Sequence, residues 1–219
     1  MSTRCPAPTL PLPDLKINDV AEWTDTVLRI YASKGDYAAS WSEFRYYGPV
    51  DKMRFDHQPG RPRLHPTRGI SYAAGPWVTP QGEEIDPFEV TVLECFKSTG
   101  VIDRHTDGPR YVLWKPTRPL RLLQLSDGDW LARAGGNGAL TSGARPVART
   151  WSRAIYDSYP DVDGLIWSSS VLTGGRSMAL YERAEDALPT APASDRTLAE
   201  PFLQPALGRI AGKYGLTLI

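Results

Sequence analysis

A charge inside an apolar run must be paired, hydrated or put to use, because burying it alone is costly. Glu94 is in that position, within Phe88-Glu-Val-Thr-Val-Leu-Glu-Cys-Phe-Lys97. It can be a helix-face or edge residue pointing to water, or a fixed carboxylate facing a substrate. A second feature is the stretch from Arg45 to Arg68, with six basic residues (Arg45, Lys52, Arg54, Arg61, Arg63, Arg68) against Asp51 and Asp56. In a chain with 25 Lys+Arg and 25 Asp+Glu, that is where a phosphate-bearing ligand would settle, if the stretch is more than a solvated loop. A third is Ser168-Ser169-Ser170, three hydroxyls that can cap a turn or reach a ligand. Asp103, His105 and Asp107 alternate, but Gly108-Pro109 follow, which favours a solvated turn over a metal site. Cys5 and Cys95 are too far apart in sequence to suggest structural zinc. There is no Walker A loop, no dinucleotide-binding Gly-x-Gly-x-x-Gly and no nucleophile elbow. The Gly-rich stretch Arg133–Gly143 reads as a plain flexible loop.

The bulk composition sets the frame. A chain of 219 residues with 41% hydrophobic and 23% charged residues is ordinary for one globular domain with appendages. Its balanced charge argues for neither direct nucleic-acid binding nor a membrane surface. No run approaches the length of a membrane span. Two cysteines make no disulfide framework and fit reduced thiols, one of them in the core, in a reducing cytoplasm. The N-terminus has prolines at 6, 8, 11 and 13 and no apolar h-region, so it does not read as a secretory signal.

Along the chain, residues 1–16 read as an extended Pro-rich arm. Asn18 and Asp19 can cap a helix in which Val20, Trp23, Val27 and Ile30 share a face, closed by Gly35. Residues 41–68 read as a strand and an ordered loop, 69–74 as a short strand, and 75–87 as a loop. Residues 88–97 alternate like a strand. Leu120–Leu125 is a strand candidate and 133–146 a flexible Gly-rich segment. Val147, Trp151 and Ile155 lie on one helix face, ended by Pro160. Leu165–Trp167 and Met178–Tyr181 read as strands, 186–196 as a linker, and 197–213 as a last helix confined or interrupted by Pro201 and Pro205. No regular β-α-β alternation exists, so the predicted class is α+β.

One ordered set of motifs resembles a known family. Arg54-Phe55-Asp56, then Gly69-Ile-Ser-Tyr-Ala-Ala74, Val92-Leu93-Glu94 and Gly164-Leu-Ile-Trp-Ser-Ser169 follow the pattern of the RES domain. That domain is named for an arginine, a glutamate and a serine. The Val147–Tyr159 helix and a closing Met178–Tyr181 strand also match, so the resemblance spans residues 28–185. Each motif is weak alone, and their joint order carries the match. The division it suggests is an arm (1–16), the RES domain (17–185), then a linker and C-terminal helix (186–219). The resemblance favours a helix at 88–97, against the alternation. Two departures stand out: an insert between Arg54 and Tyr72, which makes Arg61 and Arg63 rivals for the arginine role, and another between Tyr72 and Glu94. Among the three serines, Ser169 lies two residues past the aromatic, as in the family pattern.

The resemblance implies an ADP-ribosyltransferase-like fold with a curved, mostly antiparallel sheet of short strands. It also implies a type II toxin–antitoxin toxin that consumes NAD⁺ as substrate, with no resident cofactor or metal. Cleavage of the nicotinamide–ribose bond would proceed by hydrolysis or by phosphorolysis, with phosphate as co-substrate. The partner implied is a helix-turn-helix (Xre-type) antitoxin, and the sequence leaves a homodimer open. NAD⁺ chemistry then suits the residues. Arg54 can grip phosphate oxygens through a bidentate fork, and Tyr72 can stack on the cationic ring and orient it through its hydroxyl. Glu94 can stabilise positive charge on the ribose carbon, and Ser169 can donate to phosphate or ribose. The alternatives are an ADP-ribosyltransferase acting on a macromolecule and an inactive RES-like binding module.

Overall fold

The computed structural model describes residues 4–219. Its centre is one eight-stranded sheet made of β1 (Val20–Trp23), β2 (Val27–Ala32), β3 (Ile70–Gly75), β4 (Pro109–Trp114), β5 (Leu120–Gln124), β6 (Gly164–Ser168), β7 (Arg176–Tyr181) and β8 (Ser194–Thr197). The spatial order is β1-β5-β6-β7-β3-β2-β4-β8. Only β5 and β6 run parallel; the other neighbours are antiparallel. A parallel pair needs a crossover, and the crossover here contains the longest helix. The longer helices are α1 (Pro87–Phe96), α2 (Arg145–Ser158) and α3 (Gln204–Tyr214), beside single helical turns at Trp130–Arg133 and Ala139–Ser142. The expected α+β class with a mostly antiparallel sheet of short strands is what the chain forms.

Strand alternation sorts the core into layers. Leu165 and Trp167 of β6, Ala179 and Tyr181 of β7 and Ile70 of β3 face α2, packing on its Trp151 and Ile155. Ile166, Met178 and Leu180 face the other way, toward Val27, Val112 and Trp114. On β2 and β4, Ile30 and Tyr111 pack with a third cluster in which Val92 and Leu93 of α1 meet Leu207 and Ile210 of α3. Ile30 and Tyr111 alternate with Tyr31 and Val112 of the second cluster, so α1 and α3 cover the same sheet face as α2. The seam between these two helical covers runs over β3 and β7.

Several elements differ from the sequence expectation. The helix expected from Asn18 is instead β1 and β2, separated by a turn in which Asp25 accepts from the Thr26 amide. Asp19 does cap, but only a single turn at Ile17–Asp19, and its carboxylate is held by Arg133 at 2.5 Å. Six-residue registry with β4 outweighs the three-and-four spacing of the apolar residues. Residues 88–97, where alternation favoured a strand and the family resemblance a helix, lie almost wholly in a helix, α1. Asp86 caps it by accepting from the Phe88 amide at 2.9 Å, Pro87 starts it, and Val90 to Leu93 are buried on every side. The 75–87 loop contains a small hairpin, Trp77–Val78 with Glu84–Ile85. The 41–68 stretch forms a two-residue ladder, Tyr47–Gly48 with Arg63–Leu64, and a single bridge from Arg45 to Ile70. β4 has no counterpart in the sequence reading.

The Gly-rich 133–146 segment is ordered by anchors the composition hides: Leu140 is buried, and Ala139–Ser142 makes a helical turn. The expected 186–196 linker leads into β8, which pairs with β4. Pro205 lies in the first turn of α3, where its missing amide costs nothing, so it starts the helix instead of interrupting it. Of the two free thiols, the buried one is Cys5, while Cys95 is exposed.

The N-terminal arm is docked along α2. Trp151 donates to the Pro6 carbonyl at 2.8 Å, Tyr159 donates to Pro13 at 2.6 Å, and Cys5 and Leu12 enter the first core cluster. Leu12→Ala should therefore lower stability by about 2–4 kcal/mol, the usual cost of emptying a buried leucine site. A urea midpoint shift measures this; a freely extended arm would give none.

Candidate active site

The loop carrying Arg54 is a plug set between α2 and the sheet. Phe55, Asp56, His57 and Gln58 are all fully buried. Phe55 packs on Trp167 at 4.5 Å between ring centroids, and its carbonyl accepts from Ser152 of α2 at 2.6 Å. His57 stacks on Tyr156 at 4.2 Å, and its burial lowers its basicity. Gln58 donates to the Arg68 carbonyl at 2.8 Å. Asp56 has no exposed surface and collects three donors: the Arg45 guanidinium at 2.6 Å, the Val50 amide at 2.7 Å and the Tyr72 hydroxyl at 2.9 Å. The basic character of the stretch is thus partly spent inside it, on Arg45–Asp56, and on Arg68–Asp157 at 2.6 Å.

Arg54 leaves this plug toward the 140–143 loop and donates to the Gly143 carbonyl at 2.7 Å. Desolvation, then Arg145, pulls its guanidinium below the usual value, while Glu94 and Tyr72 act in the opposite direction. Arg54 is therefore under-compensated, and an anion beside it would be welcome. Arg61 and Arg63 are exposed at the short ladder and make no such contact.

Tyr72 lies on β3 on the face shared with Trp167 and Ala179. Its hydroxyl accepts from the Phe55 amide at 2.9 Å while donating to Asp56. The hydroxyl expected to orient a ligand is already committed, so Tyr72 offers a ring face only. Burial, then the Asp56 charge, hold the phenol well above its ordinary range.

Glu94 projects from α1 into the seam and remains exposed. Its Oε1 accepts the Ser169 hydroxyl and the Ser177 hydroxyl, each at 2.8 Å. Ser169 follows β6, and its Oγ also accepts the Val171 and Leu172 amides at 3.2 and 3.3 Å. It caps its turn and points its proton at Glu94 in the same geometry. Of its neighbours, Ser168 accepts from Arg176 at 2.8 Å, and Ser170 is exposed. The structure thus brings Arg54, Tyr72, Glu94 and Ser169 to one seam. Ser177 and Asp56 are the participants the site reading missed. Asp56 had a signal, since it ends the Arg-Phe-Asp motif. Ser177 had only its position on an inward-facing strand.

Other candidates resolve differently. Asp103 accepts from the His105 and Thr106 amides at 2.8 and 2.9 Å, a local turn. Among the described residues, no group of three His, Cys, Asp or Glu is placed to hold a metal, and no helix is long and apolar enough to cross a membrane. A cavity of about 740 Å³ lies away from the seam, walled by Trp23, Trp77 and the carboxylates Glu22, Asp25, Glu84 and Asp86. Its acidic lining would repel phosphates.

Tyr72→Phe should cost about 1–2 kcal/mol near neutrality, by removing a donor from Asp56 and an acceptor from Phe55. The Tyr72 phenol titrates higher folded than unfolded, so its stabilisation is complete below the unfolded value near 10 and is lost as pH rises through the folded value. The stability gap between wild type and Tyr72→Phe should shrink from about pH 10 upward, read by urea unfolding across pH 8–11.

No family model matches the chain, and no curated protein matches it. Among solved structures, a chain from the crystal structure of the M. tuberculosis MbcT–MbcA toxin–antitoxin complex is similar, with 13% identity and a TM-score of 0.50. The alignment covers 87% of this chain and 90% of that chain. At that identity the likeness is one of fold, and it extends over nearly the whole of both chains.

Proposed function

We propose that this chain cleaves the nicotinamide–ribose bond of NAD⁺ as a RES-type, ADP-ribosyltransferase-like toxin. The observation that carries the reading is the fixed Glu94 carboxylate. Ser169 and Ser177 hold Oε1, while Oε2 accepts no hydrogen bond from the described residues, on a cleft that also presents Arg54 and the Tyr72 ring. In this reading the pyrophosphate lies against Arg54 and the cationic ring against Tyr72. As the C–N bond breaks, nicotinamide leaves with the bonding pair, and positive charge grows on the ribose carbon beside Glu94. Water or phosphate then attacks that carbon and gives up a proton, forming ADP-ribose or its 1″-phosphate.

The fold likeness to a chain of a toxin–antitoxin complex supports the toxin setting; in this reading a helix-turn-helix antitoxin covers the site in the cytoplasm. The described residues of both flanks are packed in place, so over them the antitoxin would meet an ordered surface. A second enzymatic reading, transfer of ADP-ribose to a macromolecule, uses the same groups.

The test is incubation of the purified chain with NAD⁺, with and without phosphate. Loss of NAD⁺ with free nicotinamide and no labelled macromolecule is expected. Expression of the chain alone should depress both growth and cellular NAD⁺.

Glu94→Gln should slow single-turnover cleavage by about 10²–10³, the effect of removing about 3–4 kcal/mol of preorganised electrostatic stabilisation, while NAD⁺ still binds. Arg54→Lys keeps the charge and loses the fork, so it should weaken binding more than it slows bound substrate. Cleavage by Glu94→Gln within a few-fold of wild type would make Glu94 a structural residue.

A further inference from the structure

We propose that Ser177 is a positioning residue for Glu94, acting with Ser169 as a two-hydroxyl clamp that aims the free carboxylate oxygen into the cleft. The inference rests on the NAD⁺-cleaving reading and goes beyond it by naming the group that sets the carboxylate's direction. Glu94 ends a long, flexible side chain on an exposed part of α1, and nothing on its own helix holds its tip. Both hydroxyls converge on one oxygen, Oε1, at 2.8 Å each. A carboxylate oxygen offers two lone pairs, so two donors saturate Oε1 and remove rotation about the terminal bond. Oε2 is left as the oxygen that can meet a developing charge or a sugar hydroxyl.

The two hydroxyls are supplied from rigid places. Ser177 is 3% exposed in β7, paired with Trp167 of β6 on one side and Ala74 of β3 on the other. It shares a sheet face with Tyr72, whose partner on β7 is Ala179, two residues along. Ser169 is fixed by two backbone amides, which take its lone pairs and leave its proton for Glu94. The clamp therefore spans β7 and the turn after β6 and holds a residue from a third element. With Ser169 alone, Glu94 keeps one donor and regains the freedom to turn either oxygen outward.

The experiment is a double-mutant cycle on the full chain, with single-turnover NAD⁺ cleavage and equilibrium NAD⁺ binding measured side by side. Ser177→Ala is expected to slow cleavage about tenfold or more, on the scale of a lost hydrogen bond to a charged group, and to leave NAD⁺ affinity within about twofold. In the Glu94→Gln background the same change should slow cleavage by less than about twofold, because the charge being aimed is gone. Ser177→Thr keeps the hydroxyl and should recover most of the rate. Ser177→Cys, close to serine in size but a weak donor, should behave like alanine, and it replaces alanine if that variant does not fold. Equal losses in both backgrounds, parallel loss of binding, or wild-type cleavage by Ser177→Ala or Ser177→Cys would each overturn the clamp while NAD⁺ cleavage by the wild type stands. A wild-type chain that leaves NAD⁺ intact overturns the functional reading and the clamp together.

Discussion

A buried carboxylate ties the Arg54 plug to the sheet. Asp56 has no contact with solvent, and a charge in that position is tolerated only when its lone pairs are filled. Its three donors come from separate places: Arg45 before the plug, the Val50 amide within the preceding loop, and the Tyr72 hydroxyl on β3. Satisfying Asp56 therefore fixes where the 49–58 loop enters the molecule. It also fixes the Tyr72 ring and the departure point of Arg54. If the carboxylate lost one donor, the penalty would fall on the whole arrangement, because the same atoms define both the plug and one wall of the cleft.

The opposite wall is built by a different device. α1 and α2 cover adjacent parts of one sheet face, and the C-terminal end of β6 and the start of β7 lie buried at the seam between them. An amphipathic sheet would place apolar residues there. Instead Ser169 follows the inward-facing Trp167 and Ser177 precedes the inward-facing Ala179, and their hydroxyls are met by Glu94 descending from α1. Polar groups on an inward face are expensive unless paired. The pairing here is with a carboxylate whose second oxygen accepts no hydrogen bond from the described residues, so the same contacts satisfy the buried hydroxyls and hold a charged group in the seam.

The charges along the seam are unevenly compensated. Arg54 is partly desolvated, sits near Arg145 and is anchored to a carbonyl instead of a carboxylate. An exposed carboxylate and an aromatic face stand across the seam. The proposed substrate, with an anionic middle and a cationic ring, would complement these groups, whereas the acidic lining of the cavity near Trp77 would repel its phosphates.

Much of this is local and readable from residue order. The strands around Ile70–Gly75, Leu120–Gln124, Gly164–Ser168 and Met178–Tyr181 announce themselves by apolar, β-rich runs between turn residues, and the long α2 by its three-and-four periodicity. The four residues suggested by motif order do meet in one seam. Other features depended on partners distant in sequence. Val20 to Ala32 has helical spacing but becomes two strands, because β4 and β5 supply ladders that no local window contains. Residues 88–97 have strand-like alternation but lie almost wholly in a helix, because Asp86 and Pro87 cap them and apolar partners surround the helix on several sides. The pairing of Glu94 with Ser177, 83 residues away, and the burial of Asp56 are decided by which strands become neighbours. Residue types nominated candidate groups and the resemblance in motif order suggested the chemistry; only the tertiary packing decided which hydroxyls would stand within hydrogen-bonding reach of the carboxylate, since such contacts depend on distance in space and not along the chain.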